Sequence, residues 1–183
     1  LLESRGLGDV YKRQVDIDPE FTDLINEYLD DVLNDQSEHK GWKLPETTLI
    51  YPWILRMFPD IKYIHWVRDP RDSIIRGHKT DDLSDFGIDY PRTDNLRERR
   101  AISWKYQYDL MKATPKPENC IHVRFEDFVL KQEETLQRLE VFLGFPLGRV
   151  IVRPDSIGRW KTDGEQHTFD FFRDAMDESG YTE

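Results

Sequence analysis

Apolar positions recur at helical spacing from Asp18 onward: Phe21, Leu24, Ile25, Tyr28, Leu29, Val32 and Leu33 fall on one stripe. Asp18 is placed to cap that helix, and Pro19 suits its first turn. The stretch PETTLIYPWILRMFP reads as a further helix that Pro52 bends and Pro59 closes. The period then changes. Ile61–Val67 and Ile121–Phe125 are β-branched and aromatic, and both are expected to be buried strands. PRDSIIRGHK starts a helix directly after the first of them. Thr80–Asp94 is polar with glycine and proline, a long and mobile surface loop. Helix returns over Asn95–Met111, with Leu96, Ala101, Trp104, Tyr108 and Met111 available for packing. It returns again over KQEETLQRLEVFLGF, with Leu136, Leu139, Val141, Phe142 and Leu143 inward and Gly144 at its end. Strands alternating with helices imply a three-layer α/β domain around a mainly parallel sheet.

Composition narrows this picture. The chain has 183 residues, 38% of them hydrophobic, which suits one domain that buries roughly 70% of its unfolded surface. Cys120 is the single cysteine, so no internal disulfide forms and a reducing, cytoplasmic setting is the natural reading. A net charge of −10 argues against a nucleic-acid partner, and no apolar run is long enough to span a membrane. The first fourteen residues, LLESRGLGDVYKRQ, lack periodicity and the layout of a signal peptide. They resemble translated sequencing-adapter read-through, as met in metagenomic assemblies. Residues 1–14 are therefore read as a non-native leader and 15–183 as the domain.

Against an acidic background, arginines gather at two places. Arg68 ends the first strand, Arg71 lies in the turn after Pro70, and Arg76 follows. In open α/β sheets ligands sit beyond the C-terminal ends of the strands, and the N–H groups of a following helix favour an anion. Arginine's planar fork suits phosphate oxygens. The bland alternative is that Arg68 and Arg71 pair locally with Asp69 and Asp72. The second cluster, VRPDSIGRWKTD, holds Arg153, Arg159 and Lys161 around Gly158, whose missing side chain admits a ligand or a positive φ. Its alternative is a solvated basic turn anchored by Trp160.

Three stretches, GWKLPETTLIYPWILRMFPDIKYIHWVRDPRDSI, IHVRFEDFVLKQEETLQRLEVFLGFPL and RPDSIGRWKTD, resemble the sulfotransferases that use 3′-phosphoadenosine 5′-phosphosulfate (PAPS). They cover most of Gly41–Asp163. The resemblance implies a P-loop-NTPase-like fold, contact of Arg68 and Arg153 with the 3′-phosphate of the donor, and supporting places for Gly158 and Lys161. Arg76 stands where the family usually has a phosphate-binding serine; it either serves the same phosphate or faces solvent. Pro154 and Asp155 replace the basic and glycine positions after Arg153. The family's early glycine-rich phosphosulfate loop, with its first strand, matches nothing within Val15–Lys40, and a truncated fragment holding the 3′-phosphate half of the site is the expectation.

Sulfuryl transfer requires a base for the acceptor's proton and cationic stabilisation of the bridging oxygen. Lys43 lies where the family often has a lysine facing the sulfuryl group, though it also reads as a surface lysine. Glu46 is a candidate base, although the family often has its acidic residue directly after the lysine, where this chain has Leu44. A capping charge for a helix N-terminus is the alternative for Glu46. His78 is a further candidate base. No spacing of His, Cys and Asp suggests a metal. The partners implied are a nucleotide donor and a hydroxyl or amine acceptor of unknown identity, with self-association a further expectation. A nucleotide or sugar kinase and a non-catalytic nucleotide-binding fragment are the rival readings.

Overall fold

The computed structural model describes residues 16–181; the leader and its boundary with the domain lie outside them. Its elements are helices α1 (Pro19–Tyr28), α2 (Asp30–Leu33) and α3 (Tyr51–Met57), strand β1 (Tyr63–Val67), helices α4 (Pro70–Ser73) and α5 (Leu96–Ala113), strand β2 (Cys120–Arg124), and helices α6 (Phe125–Leu130), α7 (Gln132–Leu143) and α8 (Arg173–Ser179). Short 3-10 turns join several of them. The two strands form a parallel pair in the register Tyr63↔Cys120 to Val67↔Arg124. The fold is α/β, with helices around a small parallel sheet.

Caps behave as their residue types dictate. Asp18 accepts the N–H of Glu20 at 2.9 Å, and the side-chain Oδ1 of Asn95 accepts the N–H groups of Arg97 and Glu98 at 2.9 and 3.2 Å. Gly144 ends α7 in the left-handed region, φ +91°. Pro52 does not bend a helix. It starts one, in the first turn of α3, where its missing N–H leaves no bond unmade. The helix expected after β1 lasts one turn. The carbonyls of Ile74 and Ile75, which a continuing helix would use, instead accept from the guanidinium groups of Arg97 and Arg100.

Burial departs from expectation at three places. Of the α1–α2 stripe only Leu29 is buried, while Leu24 and Tyr28 are 60% and 62% exposed. Val141 on α7 and Leu96 on α5 also face outward. The strands are not buried throughout. Val67 and Val123 are, but Ile64 and Trp66 remain more than 40% exposed. Among the described residues the sheet has only these two strands. Trp66 leans on Phe128, ring centroids 5.0 Å apart.

The core lies at the C-terminal end of β1. Val67, Ile74 and Ala101 pack with Phe169, Phe172, Met176 and Tyr181, so the mixed tail of the sequence closes the main core. A second cluster joins Leu49 to Leu83 and Ile88. Those two residues anchor the Thr80–Asp94 loop, which is therefore tied down rather than free. The histidines of the register pair His65↔His122 meet edge to face, with Nδ1 atoms 3.1 Å apart. Burial, then the neighbouring His122 and Lys116, push the His65 imidazole down to about 4.

Candidate functional site

Arg68 is the first residue past β1. Its guanidinium lies over the Phe125 ring at 4.6 Å, donates to the Ser156 carbonyl and approaches Asp72 Oδ2 at 3.5 Å. The side chain keeps 24% of its accessible surface, and its Nε is buried without a hydrogen-bond partner. Such an orphaned donor on a cation is what an anion would satisfy.

Asp69 turns the chain into α4. One of its oxygens accepts the Arg71 N–H at 2.9 Å, and both oxygens hold the Arg71 guanidinium, with a closest contact of 2.8 Å. Arg71 is 5% exposed and sits 4.0 Å over the Trp160 ring. This arginine is structural. The local pairing anticipated from the sequence does occur: Arg71 with Asp69, and Arg68 more loosely with Asp72.

For Asp72 the sequence suggests no more than that local ion pair. It is 1% exposed, and its two amide donors are distant in the chain. Oδ2 accepts the N–H of Gly158 at 2.7 Å and Oδ1 that of Trp160 at 3.0 Å. Gly158 has φ +71°, the left-handed conformation that turns its amide and the next turn toward the carboxylate at little cost without a Cβ. The two arginine-bearing stretches thus meet through one aspartate.

A second brace comes from behind. The Asp69 N–H donates to Glu126 Oε1 at 3.0 Å, and the Tyr181 hydroxyl donates to Glu126 Oε2 at 2.7 Å. Burial and that bond to Glu126 push the Tyr181 phenol well above its ordinary value, so it remains a neutral donor. Arg124 lies 4.4 Å over the Tyr181 ring. Neither Glu126 nor Tyr181 stood out in the sequence, because their partners belong to other elements.

The remaining sequence candidates are less embedded. Arg153 is 79% exposed, with Asp155 as its ion-pair partner at 3.7 Å. Its backbone carbonyl accepts from the Ser156 hydroxyl at 2.6 Å, which ties it to the residue that Arg68 holds. Lys161 is exposed, with Nζ 5.6 Å from the Trp160 ring centroid. Arg159, beside Gly158, has a buried Nε without a partner. Arg76 is exposed. Lys43 is exposed before the 3-10 turn Pro45–Thr48, and Glu46 is half-buried within it. Among the described residues, no hydrogen bond or ion pair joins Lys43, Glu46 or Arg76 to the arginine turn. No cluster of His, Cys, Asp or Glu among the described residues is arranged to hold a metal, and no described helix is long and apolar enough to cross a membrane.

A parallel strand pair carries an arginine turn at its C-terminal end, held to a second basic loop, within an α/β fold. The chain belongs to the sulfotransferase family, whose pattern matches residues 5–149. That membership displaces the kinase reading. A Caenorhabditis elegans protein, which its name assigns provisionally to the protein-tyrosine sulfotransferases, is 26% identical over 144 residues, 75% of this chain and 54% of that protein. The chain thus spans about half the length of that curated relative. Among solved structures, the sulfotransferase domain from the curacin biosynthetic pathway superposes with a TM-score of 0.59 at 16% identity, covering 89% of this chain and 68% of that one. That likeness is one of fold.

Proposed function

We propose that this chain carries the nucleotide-anchoring part of a sulfotransferase that takes the sulfuryl group of PAPS to a hydroxyl or amine acceptor. In this reading Arg68 holds the 3′-phosphate of the donor. The observation that supports it most is the Arg68 guanidinium, held at a strand end by Phe125 and the Ser156 carbonyl with a buried Nε left unpartnered. Arg153 and Lys161, exposed on the loop that Arg68 grips, reach for the same phosphate from the solvent side, and Gly158 sets that loop's turn. Arg76, exposed after α4, is proposed to serve the same phosphate. Lys43 is proposed to stabilise charge on the bridging oxygen, and Glu46 to take the acceptor's proton.

The donor supplies the reactive sulfuryl group; the protein's task is to orient it and stabilise charge as the bond breaks. An arginine fork at the 3′-phosphate performs the first part, anchoring the end of the nucleotide remote from the chemistry. The test is calorimetric titration with adenosine 3′,5′-bisphosphate. Loss of one charge-assisted contact in Arg68→Ala is expected to weaken binding by about 1.5–3 kcal/mol, roughly 10- to 150-fold. An unchanged affinity in folded Arg68→Ala protein removes Arg68 from the site.

A further inference from the structure

We propose that Asp72 is a positioning residue that assembles the 3′-phosphate site from two stretches far apart in sequence, an inference that rests on the functional reading above. Its carboxylate stands between them. On one side it lies 3.5 Å from the Arg68 guanidinium; on the other it accepts the Gly158 and Trp160 N–H groups at 2.7 and 3.0 Å. No part of its side chain reaches solvent. A buried carboxylate placed there without partners would carry an uncompensated charge and repel an incoming phosphate. Three donors converge on it instead. The two short bonds go to backbone N–H groups, and the longest contact is the one to Arg68.

Two consequences follow for recognition. The N–H groups of Gly158 and Trp160 are committed to Asp72, so a phosphate at this place is read by side chains rather than by those two amides. Arg68, only loosely held by Asp72 and with 24% of its side-chain surface open, keeps hydrogen-bonding capacity for the ligand. Arg71 reinforces the arrangement. The neighbour of Asp72, it is fixed by Asp69 and lies against the Trp160 ring, so adjacent residues of α4 grip the same loop by its backbone and by its aromatic face. Asp72 touches no substrate in this scheme. It sets where Arg68 and the Arg153–Lys161 loop stand relative to each other.

The discriminating variant is Asp72→Asn, which keeps size and one carbonyl acceptor but removes the charge and cannot serve both loop amides. The readout is the ratio of affinities for adenosine 3′,5′-bisphosphate and adenosine 5′-monophosphate, which isolates the 3′-phosphate. Wild-type protein is expected to prefer the bisphosphate. Asp72→Asn is expected to reduce that preference at least about tenfold, while affinity for the monophosphate changes less than about threefold. A retained preference, or equal losses for both ligands, overturns the proposal. A wild-type protein indifferent to the 3′-phosphate overturns the functional reading and this inference with it; a wild-type preference kept by Asp72→Asn overturns the inference alone. Should Asp72→Asn not fold, hydrogen exchange in wild-type protein decides. Slower exchange of the Gly158 and Trp160 amides with the bisphosphate than with the monophosphate supports the coupling. Equal exchange with the two ligands overturns it.

Discussion

Arg68–Asp72 and Arg153–Arg159 look alike in sequence, each mixing arginine with aspartate around a proline. In the structure they are opposites. Asp69, Arg71 and Asp72 are all under 10% exposed, and each bonds to a group from another part of the chain or to a neighbour held by one. In the later stretch Arg153 and Asp155 are both more than 70% exposed and face each other across 3.7 Å. The later loop enters the network through its backbone, by the Ser156 carbonyl and the Gly158 and Trp160 amides. One stretch contributes charged side chains to the junction, and the other contributes main chain and the Trp160 ring. Charge in a sequence therefore marks a candidate site, while burial and non-local partners decide which charges build it.

The contrast is most open to refutation at Asp72. Each buried N–H left without an acceptor costs about 1–3 kcal/mol, so Asp72→Ala is expected to lower stability by about 2–5 kcal/mol in urea unfolding. A loss below about 1 kcal/mol, the level of an ordinary substitution, would mean that the loop stands without its clamp.

The strand pair sharpens the comparison, because there two ionisable groups are brought together with no counter-charge. His65 is driven down to about 4 from an ordinary 6.5, by burial before the neighbouring His122 and Lys116. The fold holds the neutral form, whereas the unfolded chain takes up the proton at the ordinary value. Stability from this group is thus full above pH 6.5 and declines as pH falls toward 4. The thermal midpoint is expected to drop between pH 7 and pH 5 (), and His65→Phe should shrink that drop. An identical drop in the variant would assign the acid sensitivity elsewhere.

The smallest effect belongs to Arg153. An exposed ion pair contributes little, so Arg153→Ala should change unfolding free energy by less than about 0.5 kcal/mol. A much larger loss would show that the second stretch depends on its side chains after all, and the contrast would dissolve.

Much of the local structure was legible in advance. Asp18 caps α1 because its short side chain reaches a free N–H group, and Gly144 closes α7 because a left-handed residue is needed there. A β-branched run ending in Arg68 placed an arginine at a strand's C-terminal end, and β1 lies within one or two residues of its expected limits. These features depend on neighbours in the chain, so residue type and spacing carry them. Where the expected pattern failed, as at Leu24, Val141 and the exposed residues of β1, periodicity had identified an apolar face without knowing whether anything covers it.

What only the tertiary structure decided is the junction itself. Asp72 finds its acceptor duty at amides 86 and 88 residues away, and Glu126 joins the Asp69 amide to the Tyr181 hydroxyl. Nearly every residue carries the same backbone N–H, so no letter in the sequence distinguishes an amide that will bind a buried carboxylate from one that will not. The fold makes that choice, by excluding water from Asp72 while leaving those two donors within reach.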